Sequence, residues 1–415
     1  MISIKKLGPG LLFAGAAIGV SHLVQSTRAG ADFGLSLLWA LLLVNLFKYP
    51  FFQFGPRYAA ATGESLLHGY KKLGKSVLIA YFVLTFATMF TIQTAVTIVT
   101  AGLASSLFGD FSPIIIGSIT INSIQIWTVI ILLICLLILF LGKYKLLDKL
   151  IKIIIITLTI STLIAVTMAL LKNDDAILLT QRLPNTLNTI EIGFLIAFMG
   201  WMPAPLDISI WHSLWAVEKK KDAIDFTPKS ALLDFNIGYI STIILGIGFV
   251  LLGTLVMYNS GETFSNKAGI FSNQLIQMYT NSLGNWSYII IGIAAFTTMF
   301  STTLTTLDAS PRAMHKTTEL LRNTPVKQGY LFWILLLVFG TIIIFFFFLS
   351  EMGRLIKIAT ILSFITAPFY AIINYILISG KHTPKLWRPT KSLHFLSFLG
   401  IVFLIGFSIW YLSII

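Results

Sequence analysis

The sequence predicts an all-α polytopic membrane protein in which two sets of five transmembrane helices form an inverted repeat and an eleventh helix is added. Three observations support this prediction: long apolar segments, basic residues concentrated in alternate loops, and one interrupted apolar segment at the start of each half. Apolar residues make up 56% of the chain and charged residues only 11%. A soluble globular domain has about 25% charged residues, so the composition excludes that class.

Eleven apolar segments are long enough to cross a bilayer as α-helices, which takes about 20 residues each. The predicted limits of helices 1 to 11 are 8–30, 34–60, 76–107, 122–141, 150–171, 190–215, 231–258, 286–312, 329–349, 356–379 and 393–413. Residues 1–171 and 190–380 form the two predicted repeats, and helix 11 (393–413) stands outside them. Because five is an odd number, the second repeat crosses the membrane in the opposite sense, which makes the repeat inverted.

Basic residues predict how the chain is oriented in its membrane. Most of the 29 Lys and Arg residues fall in alternate loops, at 5–6, 71–75, 143–152, 219–229, 312–327 and 381–391. The positive-inside rule therefore predicts a cytoplasmic N-terminus and an external C-terminus, and we expect the plasma (inner) membrane. The longest predicted loop, 259–285, is polar and external. The net charge of +13 is accounted for by this orientation, so the lipid bilayer is the expected partner and nucleic acid is not.

Sequence motifs of soluble enzymes and cofactor sites are missing from the chain. It contains no Walker loop, dinucleotide fingerprint, metalloprotease helix or nucleophile elbow. The single Cys135 lies in an apolar segment and cannot form an intramolecular disulfide. We therefore predict neither an enzyme nor a bound cofactor, and the oligomeric state stays open.

The two interrupted segments predict where the functional site lies. Predicted helix 1 contains the sequence GAAIGVSH at 15–22, and predicted helix 6 contains GWMPAPLD at 200–207. Glycine weakens a helix and proline removes a backbone donor, so both helices should break at these points. Unwound backbone is tolerated in a bilayer only where it is buried in protein or lines a cavity. Two breaks at corresponding positions are typical of the binding site of a secondary transporter.

Several segments resemble the Nramp (natural resistance-associated macrophage protein) family of proton-coupled divalent-metal transporters. Helices 1 and 2 are similar to that family at 7–10, 29–39, 45–46 and 61–64, and helix 6 is similar at Met202-Pro203 and His212-Ser213. The resemblance implies the leucine-transporter fold and transport of a divalent cation. It also implies that Met202 corresponds to a thioether ligand of the family.

The family's metal-binding motif is altered in this chain. Nramp proteins carry Asp-Pro-Gly-Asn at the break of helix 1, and these positions fall here on Gly19, Val20, Ser21 and His22. The resemblance thus implies that a carboxylate is lost and an amide is replaced by an imidazole. The family's acidic proton-transfer positions in helix 3 fall near Gln93 and Val96, which do not titrate. Proton coupling therefore stays open.

Three ionisable residues within the predicted membrane helices are candidates for the site. Asp207 is a costly intramembrane carboxylate, which favours an ion or proton site; its alternative is a structural partner for Lys48 or for freed backbone amides. His22 is either a metal ligand or proton carrier, or a neutral side chain bonded to a free carbonyl. His212 resembles a family histidine linked to proton movement, and a packed polar residue is the alternative.

The remaining candidates are Lys48, Met202 and a set of threonines in predicted helix 8. Lys48 lies mid-helix, where it either replaces a coupling cation or neutralises Asp207, unless it extends to the membrane interface. Met202 is either a ligand or a packing residue. The threonines line a path or bond to their own helix backbone; they are Thr302, Thr303, Thr305 and Thr306.

These candidates define the predicted site and three hypotheses for its function. The substrate- or ion-binding residues are Gly19, Ser21, His22, Met202 and Asp207, the coupling or gating residues are Lys48, Gln93 and His212, and the metal ligands are His22, Met202 and Asp207. The first hypothesis is uptake of a divalent metal cation, Mn²⁺ or Mg²⁺, by alternating access. The second is transport of a small amino acid or organic anion, which half-helix N-termini favour. The third is a non-transporting sensor that kept the fold.

Overall fold

The computed structural model describes residues 8–117, 119–141, 144–172, 183, 188–222, 227–258, 260, 262–348 and 351–414. Fifteen α-helices lie within these residues: α1 (Pro9–Ala17), α2 (Thr27–Phe33), α3 (Leu38–Thr62), α4 (Leu66–Leu73), α5 (Lys75–Phe108), α6 (Ser123–Leu141), α7 (Tyr144–Lys172), α8 (Thr189–Trp201), α9 (Ile208–Asp222), α10 (Pro228–Met257), α11 (Ala268–Leu283), α12 (Tyr288–Arg322), α13 (Gly329–Ile343), α14 (Met352–Ser379) and α15 (Lys391–Ile414). Of the basic residues considered above, Lys5, Lys6 and Lys143 lie outside the described residues.

All eleven predicted segments are helical. Predicted helix 1 consists of α1, a π-helical segment (Ser21–Ser26) and α2, and predicted helix 6 consists of α8 and α9. Within the described residues, eight helices are long and apolar enough to cross a membrane. The two broken helices are divided into shorter pieces because the chain leaves the α-helical path near Gly19 and again from Met202 to Asp207.

Local sequence explains where several helices begin and end. α10 starts with a capping box in which Thr227 and Ser230 bond reciprocally, followed by Pro228 at the first turn. α3 ends at Thr62, and the next residue, Gly63, has a φ of 80°, a left-handed backbone that glycine adopts without strain. α12 extends ten residues beyond its predicted end. A Lys316–Glu319 ion pair within these ten residues, with Nζ and Oε2 3.1 Å apart, supports this polar extension.

Two helices and a hairpin lie where the sequence analysis expected loops. The segment 259–285, which was predicted to be a loop, contains α11. The prediction was wrong because α11 has an apolar face that buries Phe271, Leu275 and Ile276. The short α4 occupies the loop after predicted helix 2. Strands β1 (Ile114–Ile116) and β2 (Ile119–Ile121) pair antiparallel between α5 and α6, with Ile114 opposite Ile121.

Each broken helix packs against the second helix of the other half. α1 and α2 pack against α10, whereas α9 packs against α3, and α5 packs against α12 at the centre. Small residues allow the backbones to approach closely: a Cβ on Gly238 of α10 would lie 2.1 Å from the carbonyl oxygen of Gly10 in α1. This reciprocal packing brings the two breaks together at the middle of the molecule.

Candidate functional site

The break in predicted helix 1 is built around Gly19 and Thr302. α1 ends at Ala17, and Ile18 then adopts extended backbone with φ −79° and ψ 91°. A Cβ on Gly19 would lie 2.9 Å from both Oγ1 and Cγ2 of Thr302 in α12, so only glycine fits here without a shift. The Thr302 hydroxyl lies 3.2 Å from the carbonyl oxygens of both Gly15 and Ile18. Where the family resemblance places a carboxylate, this chain therefore presents a backbone packed on a threonine.

The break in predicted helix 6 leaves backbone carbonyls without helical donors. α8 ends at Trp201, and the chain returns to helix at Ile208. A helical carbonyl accepts from the N–H four residues later, but Pro203 and Pro205 have no N–H. The carbonyls of Met199 and Trp201 are thus deprived of their usual partners, and the last turn of α8 also carries the negative end of a helix dipole.

Lys48 of α3 provides donors for four carbonyls of this break, that of Met199 among them. Its side chain is fully buried. Its Nζ lies 2.8 Å from Met199 O, 2.7 Å from Gly200 O, 3.1 Å from Met202 O and 3.4 Å from Ala204 O. The alternative in which Lys48 extends to the membrane interface is therefore wrong. Among the described residues, the ammonium bonds to these four backbone carbonyls of the break and not to Asp207.

His22 and Ser21 link the first break to α10 and to the second break. His22 Nε2 lies 2.9 Å from the carbonyl oxygen of Thr242, so this nitrogen donates the hydrogen. In the neutral ring, Nδ1 then accepts from the Ser21 hydroxyl at 2.7 Å. Ser21 Oγ is also 2.8 Å from Ala17 O and 3.3 Å from Pro203 O, and its single hydrogen is shared among these acceptors. Both ring nitrogens of His22 are thus engaged within the protein.

Asp207 and His212 are buried polar residues with incomplete hydrogen bonding. Asp207 is 4% exposed, and its Oδ1 has no hydrogen-bond partner among the described residues. Its carboxylate is close enough to Tyr70, Tyr81 and Tyr370 to interact with them electrostatically. Among the described residues, neither ring nitrogen of His212 has a hydrogen-bond partner. The His212 ring stacks on the ring of Phe13, with centroids 5.6 Å apart.

A small cavity lies between the two breaks. Its volume is ≈ 20 Å³, which is enough for about one water molecule. Its lining includes Ser21 from the first break, Pro205 from the second, Trp201 and Trp211 beside them, and Thr302 and Thr306 of α12. Of the predicted binding residues, Ser21 lines this cavity. The surrounding breaks contain the other four, Gly19, His22, Met202 and Asp207. The Met202 side chain packs against Gly246 of α10, where an added Cβ would lie 3.5 Å from Sδ.

Gln93 belongs to a polar seam between α5 and α12 next to the cavity. Its Oε1 accepts from the hydroxyl of Thr306 at 2.8 Å, and its Nε2 donates to the carbonyl oxygen of Thr303 at 3.3 Å. Thr100 and Thr303 pair through their hydroxyls at 2.7 Å. These hydrogen bonds hold α12 against α5 at the level of the cavity. Through them Gln93 positions Thr306, which lines the cavity.

Asp234 is a structural contributor that the sequence analysis did not single out. Its carboxylate accepts from Gly8 N at 3.1 Å and from Gly10 N at 2.8 Å, which caps the first turn of α1 from α10. In sequence it is an ordinary acidic residue near the start of an apolar segment, so local patterns carry no signal for this role. Across the described residues, no three His, Cys, Asp or Glu side chains come together as a set of metal ligands.

Comparisons with known proteins match nearly the whole chain. A family model described as natural resistance-associated macrophage protein-like (Nramp) matches residues 10–413. An uncharacterised protein of Pasteurella multocida (strain Pm70) is 36% identical over 413 residues, which cover 98% of this chain and 92% of that protein.

Two solved structures show the same fold. The Eremococcus coleocola manganese transporter is 13% identical, with a TM-score of 0.70 over 97% of this chain and 84% of the other. MhsT in complex with L-phenylalanine is 15% identical, with a TM-score of 0.63 over 98% of both chains. With the two broken helices, these similarities confirm the predicted leucine-transporter fold.

Proposed function

Because the chain belongs to the Nramp family of metal-ion transporters, we propose that it is a secondary active transporter that takes up a divalent cation, Mn²⁺ or Mg²⁺, by alternating access. The substrate binds between the two breaks, and one helix bundle rocks against the other around it.

The observation that carries this proposal is the size and chemistry of the cavity between the breaks. A volume of ≈ 20 Å³ accepts an ion or one water molecule, whereas an amino acid with its several heavy atoms does not fit. Its lining includes the hydroxyl-bearing side chains of Ser21, Thr302 and Thr306 and the indoles of Trp201 and Trp211, and unwound backbone adjoins it. Oxygen ligands of this kind suit Mg²⁺ and Mn²⁺, which also retain waters.

We further propose that His22, Met202 and Asp207 become ligands when the cation is bound. His22 is engaged through both nitrogens, so its participation requires that Nδ1 exchange the Ser21 hydroxyl for the metal. Asp207 supplies the negative charge that a dication needs and that Gly19 lacks. His212, with both ring nitrogens unpartnered among the described residues, is the proposed proton carrier, positioned by α9.

Transport of a small amino acid or organic anion is the second candidate. The observation that favours it is the positive charge of Lys48 at the break of predicted helix 6, where it lies beside four carbonyls. An anionic substrate is attracted by this charge, whereas a divalent cation is repelled. The small cavity is the observation against it.

Lysines from several loops meet at one end of the molecule, and this basic end supports the proposed orientation in the membrane. Lys71 bonds to Asn323, Lys220 donates to the carbonyl oxygen of Ala60, and Lys219 lies next to Gly8. Residues from three separate loops and the start of α1 thus meet at the same end. We propose that this end is cytoplasmic, that the C-terminus is external, and that the protein resides in the plasma (inner) membrane.

Uptake by the purified full-length protein in liposomes tests the function. We expect wild-type protein to accumulate Mn²⁺ or Mg²⁺, and we expect Asp207→Asn and His22→Ala each to lower the uptake rate by about tenfold or more. Glu262→Gln, an exposed carboxylate outside the breaks, is the matched control and should transport normally.

Wild-type liposomes that move neither cation contradict divalent-metal transport. In that case a thermal-shift screen with amino acids and organic acids tests the second candidate, because a ligand of the native state raises its melting temperature. If Asp207→Asn transports like wild type, Asp207 is structural.

A further inference from the structure

The environment of Lys48 is that of a cation-binding site made of carbonyl oxygens. Four carbonyls from Met199 to Ala204 lie within 3.4 Å of one ammonium that is fully buried between α3 and the break. An ammonium has three hydrogens, so four acceptors exceed what directional hydrogen bonding requires. Convergence of carbonyl oxygens on one positive centre is the geometry by which proteins replace the hydration shell of a metal cation.

The site exists because of the local sequence of the second break. Pro203 cannot donate to Met199 O, and the chain turns away from the helix before other donors reach the last carbonyls of α8. The end of α8 contributes the negative pole of its dipole to the same point. Half-helix C-termini and unwound carbonyls are the groups with which transporters of broken-helix architecture bind their coupling cations.

The contacts of Lys48 determine what charge the site accepts. Within the described residues, its ammonium bonds to backbone carbonyls and to no carboxylate. Neutral oxygens without a carboxylate balance a single positive charge better than a double one. Lys48 is also absent from the lining of the cavity between the breaks, so the carbonyl site is distinct from that cavity.

We propose that Lys48 is a tethered cation that permanently fills a monovalent-cation site at the break between α8 and α9. The ammonium takes the place of a dissolved Na⁺ or K⁺: it balances the partial negative charge of the freed carbonyls, and its hydrogen bonds connect the break to α3. The wild-type protein consequently needs no alkali cation at this position. Truncation of the side chain empties the site, and a dissolved monovalent cation can then enter it.

Thermal unfolding of full-length protein in detergent tests the proposal without reference to any substrate. Wild type and Lys48→Ala are melted in NaCl, KCl and choline chloride at equal ionic strength. We expect the wild-type Tm to be the same in all three salts. In choline chloride we expect Lys48→Ala to have a lower Tm than the wild type. Adding Na⁺ or K⁺ should raise the Tm of this variant by about 2–4 °C in a saturable manner.

The matched control is Lys220→Ala, which removes a lysine that also donates to a backbone carbonyl, Ala60 O, but away from the breaks. Its Tm should respond to no cation. A Lys48→Ala protein that melts at one temperature in all three salts overturns the proposal. A saturable stabilisation of the wild type by Na⁺ or K⁺ also overturns it, and this measurement does not depend on the folding of the variant.

Discussion

At the residue scale, the first break depends on the fit between Gly19 and Thr302. The hydroxyl of Thr302 lies 3.2 Å from the carbonyl oxygens of Gly15, Ile18 and Thr298, so one hydrogen serves the last turn of α1 as well as its own helix. From the sequence, Thr302 is predicted either to line a path or to bond to its own helix backbone. In the structure it does both, because α12 passes directly beside the break.

Thr302→Val should destabilise the protein while preserving side-chain shape. The variant leaves buried carbonyls of the break without their donor, and we expect the free energy of unfolding to fall by about 1 kcal/mol. Thr297→Val on the same helix is the control, because among the described residues the Thr297 hydroxyl bonds to carbonyls of α12 and to no other helix. Chemical denaturation in detergent measures both, and equal stability of the two variants would show that the interhelical bonds contribute nothing.

Gly19→Ala should destabilise the protein through overpacking. A Cβ at this position meets Thr302 at 2.9 Å, and we expect a loss of about 1–3 kcal/mol in the free energy of unfolding. Because the clash is with one side chain, Thr302→Ala should remove most of it in the double variant. A double-mutant cycle measures this coupling. Strictly additive losses would mean that Gly19 is constrained by something other than Thr302.

At the element scale, α10 supports the first break along much of its length. Asp234 caps α1, Gly238 lies against Gly10, and Thr242 accepts from His22. These residues are spaced four apart, so they lie on one face of α10. One face of α10 therefore positions both the start of α1 and the His22 imidazole that follows the end of α1. Its apolar composition predicted a membrane helix but gave no indication of this role.

Asp234→Ala should loosen the first turn of α1. It removes a charged acceptor from the amides of Gly8 and Gly10, and we expect a loss of about 1.5–3 kcal/mol with faster hydrogen exchange at residues 8–12. Asp234→Asn retains one acceptor oxygen and should show a smaller change. If exchange at these amides is the same in the alanine variant as in the wild type, the cap does not hold α1.

At the scale of the whole molecule, the proposed orientation separates a basic end from the end that contains α11. Lys71, Lys220 and Asn323 lie at the basic end, whereas Arg28 donates to the carbonyl oxygen of Ser265 at the opposite end at 2.6 Å. Loops that are distant in sequence meet at each end because the helices alternate in direction. The alternation of basic loops along the chain thus corresponds to a physical division of the molecule.

Cysteine labelling should reveal this sidedness. The native Cys135 is buried, and Cys135→Ser provides a background for single cysteines at exposed positions. In intact cells we expect a membrane-impermeant thiol reagent to label Glu262→Cys and not Thr324→Cys, and to label both after permeabilisation. The reverse pattern would place the basic end outside and refute the proposed orientation.

The class of the protein, its apolar helical segments and the location of the two breaks are predictable from the amino-acid sequence alone. Bilayer thickness imposes the length of the apolar segments, and Gly and Pro prevent regular helix at 15–22 and 200–207. These are local effects, so they are visible in a single chain without knowledge of its neighbours. Family membership and the leucine-transporter fold were likewise predictable from motifs near the start of each half.

The groups that satisfy the breaks are identified by the packed structure and not by the sequence. Lys48 reaches carbonyls more than 150 residues away, Thr302 reaches the first break from α12, and Asp234 reaches α1 from α10. The packing of helices from the two repeats brings these partners together, and the hydrophobic periodicity of the sequence does not indicate such contacts. The sequence therefore located the two breaks, whereas the packing of helices from opposite halves determined that one is closed by a threonine and the other by a buried lysine.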